Sequence, residues 1–211
     1  MDRLTLRRVS QPALEPVSLT EAKLHSRIDI NDDDARITSS IVAARSYCEE
    51  HCRRQFINAS WRLSLDWFPS SWNYVGAFSR PAFDGTDIIL PRPQVSAITS
   101  ITYYDGSGAL QTLAPSTYVL SADDEPARIA LSPGSTWPAT QTDRINAAQI
   151  TYVSGYGADG SFVPQPIKQA ILMLVGHWNE QREAVFTGSI TKEVEFAVSS
   201  LLSPFTVMEQ W

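Results

Sequence analysis

The spacing of apolar residues changes twice along this chain, and these two changes limit the folds open to it. Between residues 37 and 56 apolar residues recur every three or four positions, as on one face of a helix. From residue 58 to about 156 short runs alternate between apolar and polar residues, and from 164 the helical spacing returns. The sequence therefore predicts an α+β protein in which a β segment separates two helical segments.

Two helices are predicted before the β segment. In "PVSLTEAKLHSRI", Ser18 and Glu21 have the spacing of a capping box, in which each satisfies the free amide of the other, so a helix is expected over about 19–27. A second, amphipathic helix is indicated by apolar residues spaced by three and four: Ile37, Ile41, Ala44, Cys48, Cys52 and Phe56.

The acidic run "DINDDDAR", residues 29–36, resembles a calcium loop at its first, third and fifth positions. It lacks the Gly at position 6 and the Glu at position 12, where Asp34 and Ser40 stand instead. We therefore predict a helix start with Asn31 or Asp32 as the N-cap, because carboxylates are favourable at the positive end of a helix dipole. Cys48 and Cys52 lack a second Cys/His pair, so no metal or other cofactor is expected.

About six strands are predicted between 60 and 156, as a small sandwich or barrel. "WRLSLDW" alternates strictly, and "YYDGSGALQTL" is typical of a hairpin that turns at residues 105–108. "GYGADG", residues 155–160, has the spacing of a dinucleotide-binding loop, but "SFVPQP" separates its last Gly from the next helix. We predict a turn there, without nucleotide binding.

A third helix is predicted over 164–185, and its middle is apolar nearly all round. A helix of this kind needs cover on several sides, either by its own domain or by neighbouring subunits. Four of its residues are candidates for a contact with a neighbouring subunit: Ile171, Leu172, Met173 and Trp178. The hydrophobic residues that follow indicate a docking tail, although the same pattern also allows the tail to fold back onto its own sheet: Val194, Phe196, Val198, Leu201, Leu202 and Phe205.

These elements suggest a small helical bundle with an inserted antiparallel β domain. The predicted divisions are an N-terminal arm (1–17), a helical core (18–57 with 164–186), the inserted β domain (58–163) and an extended C-terminal docking tail (187–211). The formal net charge of −6, with only 17 Lys and Arg, argues against a surface built to bind nucleic acid. The start "MDRLTLRR" lacks the apolar run of a signal peptide, and the longest apolar stretch, 170–175, is too short to span a membrane.

The order of these segments resembles the head–tail connector (adaptor, or head-completion) proteins of long-tailed bacteriophages and gene transfer agents. The resemblance runs from about 15 to 186 and rests on an ordered set of stretches: "EPVSLTEAKLHSRIDINDDDARITSSIVAARSYCEEHCRRQFI", "WRLSLDWFP", "IILPRPQVSAITSITYYDGSG", "WPAT", "ITYVSGYG" and "VPQPIKQAILMLVGHWNEQREAV". It fades in the loop 70–86 and beyond residue 187.

The resemblance implies a structural adaptor and not an enzyme. The protein would form a twelvefold ring between the portal of a DNA-filled capsid and the next tail-side protein, a stopper or tail terminator. DNA would pass through without sequence-specific binding, and assembly would take place in the bacterial cytoplasm with no membrane. The tail would bind the portal, so deletion of 188–211 is expected to leave a folded chain that no longer binds it.

Two other function classes are compatible with the sequence. A carbohydrate- or ligand-binding β module with helical flanks would use aromatic residues such as Trp72, Tyr74 or Trp137. An enzyme would need a pocket with paired ionisable groups, such as Asp66 and Asp84, and no catalytic motif supports one.

Overall fold

The chain folds into a β unit and a helical unit. The computed structural model describes residues 4–69, 87–180 and 190–207. Of these, residues 4–11, 59–69 and 87–155 form the β unit, and residues 12–58, 156–180 and 190–207 form the helical unit. The α+β class predicted from the sequence is confirmed, because helices and antiparallel sheets are both present.

The described part of the helical unit contains four helices: α1 (Leu19–Ser26), α2 (Asp34–Cys52), α3 (Gln165–Glu180) and α4 (Ile190–Leu202). The capping box of α1 is confirmed, since Ser18 Oγ accepts from the Glu21 amide and the Glu21 carboxylate accepts from the Ser18 amide. At the C-cap of α1 the Arg27 amide donates to carbonyls of the last turn, which ends the helix as predicted.

The N-cap of α2 lies one residue beyond Asp32, the later of the two predicted positions. Its N-cap is Asp33, whose side chain makes no capping hydrogen bond, and the helix begins at Asp34. Asn31 is occupied elsewhere, because its Oδ1 accepts from Lys23 Nζ at 2.6 Å. This contact between Lys23 and Asn31 joins the end of α1 to the loop before α2, and local sequence spacing does not reveal it.

The core of the helical unit confirms the predicted apolar face of the second helix, α2. All six stripe residues from Ile37 to Phe56 are buried. They pack with the buried face of α3 and with the end of α4, which together contribute Ile167, Ala170, Ile171, Leu174, Val175, Val198 and Leu202.

The β unit contains eight strands among the described residues: β1 (Thr5–Arg8), β2 (Ala59–Leu65), β3 (Ile88–Leu90), β4 (Val95–Tyr104), β5 (Leu110–Thr112), β6 (Tyr118–Ser121), β7 (Ala127–Leu131) and β8 (Ala148–Ser154). One sheet has the order β1-β2-β8-β4-β5 and the other β3-β7-β6, and all the pairs are antiparallel. Seven strands lie between 59 and 154, one more than predicted. The predicted β4–β5 hairpin is confirmed, with Asp105 Oδ1 accepting from the amides of Ser107 and Ala109 in the turn.

One prediction about the chain ends needs correction. The predicted N-terminal arm is extended at Thr5–Arg8, which pairs with β2 from Thr5↔Ser64 to Arg8↔Trp61. The tail is not extended where it is described, because Ile190–Leu202 is a helix followed by a 3-10 turn at Ser203–Phe205. The physical reason is that helix formation buries Val198 and Leu202.

Candidate interaction surfaces

The apolar middle of α3 is covered mainly by its own unit. Ile171 is fully buried, so its side chain is not accessible to a neighbouring subunit. Leu172, Met173 and Trp178 are partly buried and pack against the same core. The predicted contact of Ile171 with another subunit is therefore corrected, and contacts by the other three residues stay a prediction.

The hydrophobic residues predicted as a docking tail divide between two environments in α4 and the turn after it. Val198 and Leu202 are buried in the helical core, and Val194, Leu201 and Phe205 pack partly against it. Phe196 instead leaves 75% of its surface exposed. Of the predicted tail residues, Phe196 is thus the one that remains open to a partner.

Hydrogen bonds fix the segment after α4 to the end of α2. Arg54 Nε donates to the Phe205 carbonyl at 2.9 Å, and the Val207 amide donates to the Cys52 carbonyl at 3.0 Å. The Arg54 guanidinium also lies 5.7 Å from the ring centroid of Tyr156. Deletion of 188–211 would remove these contacts and two core side chains, so we correct the expectation that the shortened chain keeps its fold.

A buried charge network joins α2 to the segments on either side of it. Glu49 is fully buried, and its carboxylate accepts from Arg45 Nη1 at 2.8 Å, Gln55 Nε2 at 2.6 Å and the Phe56 amide at 3.1 Å. Arg45 Nε also donates to Glu15 at 2.6 Å. Burial alone would lower the pKa of Arg45, but Glu15 and Glu49 outweigh it and raise that pKa. Because these groups satisfy one another, the network stabilises the fold and presents no reactive group.

The acidic run at the start of α2 is held by cations of the chain itself. Lys23 Nζ lies 2.7 Å from Asp34 Oδ1, and Arg36 Nη2 lies 3.2 Å from Asp33 Oδ2. Asp29 and Asp32 are exposed. Within the described ranges no group of three or more His, Cys, Asp or Glu residues is placed to hold a metal ion. The predicted helix start is confirmed, since α2 begins inside this run.

The glycines of "GYGADG" serve close packing. A Cβ at Gly157 would overlap the ring of Phe162, and a Cβ at Gly160 would overlap the backbone carbonyl of Pro16. Asp159 caps the 3-10 turn that follows by accepting from the Ser161 amide at 2.8 Å. The predicted turn is confirmed, and the need for glycine is explained without a nucleotide.

Residues considered for a ligand site or for catalysis lie apart or in the core. Trp137 stacks on Phe68 with ring centroids 4.9 Å apart, as a partly buried member of the β-unit core. Trp72, Tyr74 and Asp84 lie outside the described residues. Asp66 accepts from the Asn146 amide at 2.8 Å, which is a structural contact.

Cys48 and Cys52 are buried free thiols, as predicted. Burial is the main cause that raises the pKa of Cys48 to about 12 and that of Cys52 to about 11, so both stay protonated near neutral pH. Neither thiol is therefore suited to be a nucleophile.

One charged feature was missed by sequence reasoning. Arg7 on β1 and Arg62 on β2 lie directly opposite each other in the sheet. They are fifty-five positions apart in sequence, so only the pairing register brings them together. Strand alternation shows which face of its strand each arginine lies on. It does not show which residue lies opposite on the neighbouring strand.

A family model matches the N-terminal part of the chain. Residues 16–81 match the model described as phage gp6-like head-tail connector protein. The resemblance to head–tail connector proteins is confirmed. No curated protein sequence matches the chain.

Chains of the same fold are found in solved structures of gene transfer agent particles. A chain in the neck of an empty particle computed with C6 symmetry is 20% identical, with a TM-score of 0.74. A chain in the virion of a native particle is 19% identical with a TM-score of 0.71, and one in the neck of a native particle computed with C12 symmetry is 20% identical with a TM-score of 0.69. Each match covers 98% of this chain and 97% of the other, so the fold is shared over nearly the whole length. No helix in the described part is long and apolar enough to cross a membrane.

Proposed function

We propose that the protein is a structural adaptor in the neck of a phage or phage-like particle. It forms a ring between the portal of a DNA-filled capsid and the tail, where it attaches the tail and lets DNA pass. The observation that carries the proposal is the likeness to a neck chain over 98% of this chain, with a TM-score of 0.74. The role is mechanical, so the protein catalyses no reaction.

The ring contains twelve copies in this proposal. Solved necks with chains of this fold have been computed with C12 and with C6 symmetry, and both are compatible with twelve subunits. A head-to-tail contact repeated around an axis closes into such a ring. The net charge of −6 per copy suits a passage for DNA, because an acidic ring does not hold the phosphates that slide through it.

The partners are the portal on the capsid side and a stopper or tail terminator on the tail side. The ring is part of the particle at the capsid–tail junction, and it assembles in the bacterial cytoplasm. Phe196 is the portal anchor in this proposal, because it is the hydrophobic side chain of α4 that the helical core leaves open. Large apolar side chains of this kind contribute strongly once a partner covers them.

Native mass spectrometry of the chain mixed with its cognate portal ring tests the adaptor function. We expect a complex that contains one portal and about twelve copies. A free chain that is monomeric is compatible with the proposal, because the portal can act as the template. A chain that stays monomeric with the portal present contradicts it.

Point substitutions test the anchor. We expect Phe196→Ser to weaken portal binding by at least about tenfold, since an exposed aromatic anchor is lost. Leu24→Ser is the matched control, because Leu24 is 80% exposed on another helix of the same unit. Equal effects of the two substitutions would remove Phe196 from the contact and leave the adaptor function to be decided by the portal complex itself.

A further inference from the structure

We infer that Arg7 and Arg62 of one copy bind Asp29 and Asp32 of the next copy in the ring. The inference rests on the proposed ring and names residues that form its repeated contact. It begins from the polar face of the five-stranded sheet. Arg7, Arg62, Thr151 and Ser100 lie in one row across β1, β2, β8 and β4.

The paired rows of this face carry two cations, and the guanidinium of Arg144 lies over the ring of Tyr104 at the far edge of the same face. The register places two further rows on the same side of the sheet, one of Thr5, Ser64, Gln149, Thr102 and Thr112 and one of Ser60, Val153 and Ala97. Among these register-paired residues the two arginines are the only charged ones. Like charges directly opposite each other destabilise a sheet, so the chain gains nothing from this pair in isolation.

Neither arginine is neutralised within the described part of the chain. Arg62 makes no ion pair with any described carboxylate, and its side chain is half-buried. Arg7 makes no ion pair with any described carboxylate, and its side chain is exposed. A guanidinium pair of this kind is suited to carboxylates supplied from outside the chain, which accept from its fixed donors.

The loop between α1 and α2 supplies matching carboxylates. Asp29 and Asp32 are exposed, and no described residue donates to either of them. Ile30 between them is 60% exposed, which gives the loop an apolar contact as well. Lys23 holds the loop in place by binding Asn31 at 2.6 Å and Asp34 at 2.7 Å, so the two free carboxylates are presented on a fixed segment.

A second copy fits this chemistry better than DNA does. The arginine pair belongs to the β unit and the acidic loop to the helical unit, so the two surfaces differ and join copies head to tail. Binding of a DNA backbone relies on many cations that follow the phosphates, and the paired rows of this face have two in a protein of net charge −6. Charge complementarity therefore favours the neighbouring copy.

A charge exchange tests the contact. One variant carries Arg7→Glu with Arg62→Glu, a second carries Asp29→Arg with Asp32→Arg, and a third carries all four substitutions. We expect each of the first two to weaken assembly on the portal by on the order of a hundredfold, because like charges then face each other. The fourfold variant restores assembly to within about tenfold of the wild type, because the complementarity returns in reverse.

A matched control separates this contact from a general charge effect. Asp123→Lys changes an exposed charge between β6 and β7, outside the five-stranded sheet, and we expect this variant to assemble as the wild type does. Circular dichroism and thermal melting confirm that every variant is folded. Native mass spectrometry and sedimentation measure assembly.

The outcomes distinguish this inference from the proposed function. If the wild type assembles and the double variants assemble equally well, the contact is wrong and the ring stands. The contact is also wrong if the fourfold variant stays as weak as either double variant. Binding of duplex DNA that is lost in the Arg7 and Arg62 variant, with assembly unaffected, would assign the pair to phosphate. A wild type that never assembles on the portal overturns the adaptor function and this contact together.

Discussion

Helix α4 gives a direct test of whether the C-terminal segment belongs to the fold. Leu202 is fully buried, so Leu202→Ala removes a core side chain and leaves a cavity. Substitutions of this kind cost about 3 kcal/mol. Phe196 already exposes 75% of its surface, so Phe196→Ala loses only about a quarter of the 1.5–3 kcal/mol that full burial of such a side chain provides. We expect about 0.5 kcal/mol, partly offset by the higher helix propensity of Ala.

Thermal melting followed by circular dichroism at 222 nm measures the difference between the two variants. For a chain of 211 residues 3 kcal/mol corresponds to a decrease in Tm of roughly 10 °C, whereas Phe196→Ala should change the Tm by no more than about 2 °C. For portal binding we expect the opposite order of effects. At a temperature where both variants are folded, Phe196→Ala should bind the portal more weakly than Leu202→Ala does. A Tm for Leu202→Ala within about 1 °C of the wild type would refute the packing of α4 on its own core.

Three further changes test separate parts of the fold. Glu49→Ala should cost about 3–5 kcal/mol in urea unfolding, because it leaves buried donors without an acceptor. Glu195→Ala, at an exposed position of α4, should stay within about 0.5 kcal/mol. Gly160→Ala should cost about 1–3 kcal/mol through overlap with backbone, and Gly106→Ala, whose added Cβ meets nothing within 4 Å, should be close to neutral. Hydrogen bonds from Ser107, Gln111 and Ala109 lower the pKa of Asp105 to about 2. The turn should therefore keep its full stability above the unfolded pKa near 3.8 and lose it as the pH falls towards 2. NMR of the turn amides measures this titration, and an Asp105 that titrates near 4 would contradict the prediction.

Sequence spacing predicted the elements whose stability is local. The capping box of α1, the stripe of α2 and the hairpin at residues 105–108 were all read correctly, because each depends on residues a few positions apart. The C-terminal segment was misjudged because Val194, Phe196 and Val198 alternate as in a strand. Val194, Val198, Leu201, Leu202 and Phe205 also fit helical spacing, and the helical core selects that second pattern.

The sequence by itself determined the α+β class, the positions of α1, α2 and α3, and the family resemblance, because apolar periodicity and capping are properties of short segments. The tertiary structure alone decided that β1 joins the sheet, that α4 completes the helical core, and that Arg7 faces Arg62. These outcomes depend on contacts between residues far apart in sequence, more than fifty positions for the pairs of β1 with β2. Such contacts are fixed by sheet register and by the burial of apolar surface over the whole unit, and neither of these is encoded in local spacing.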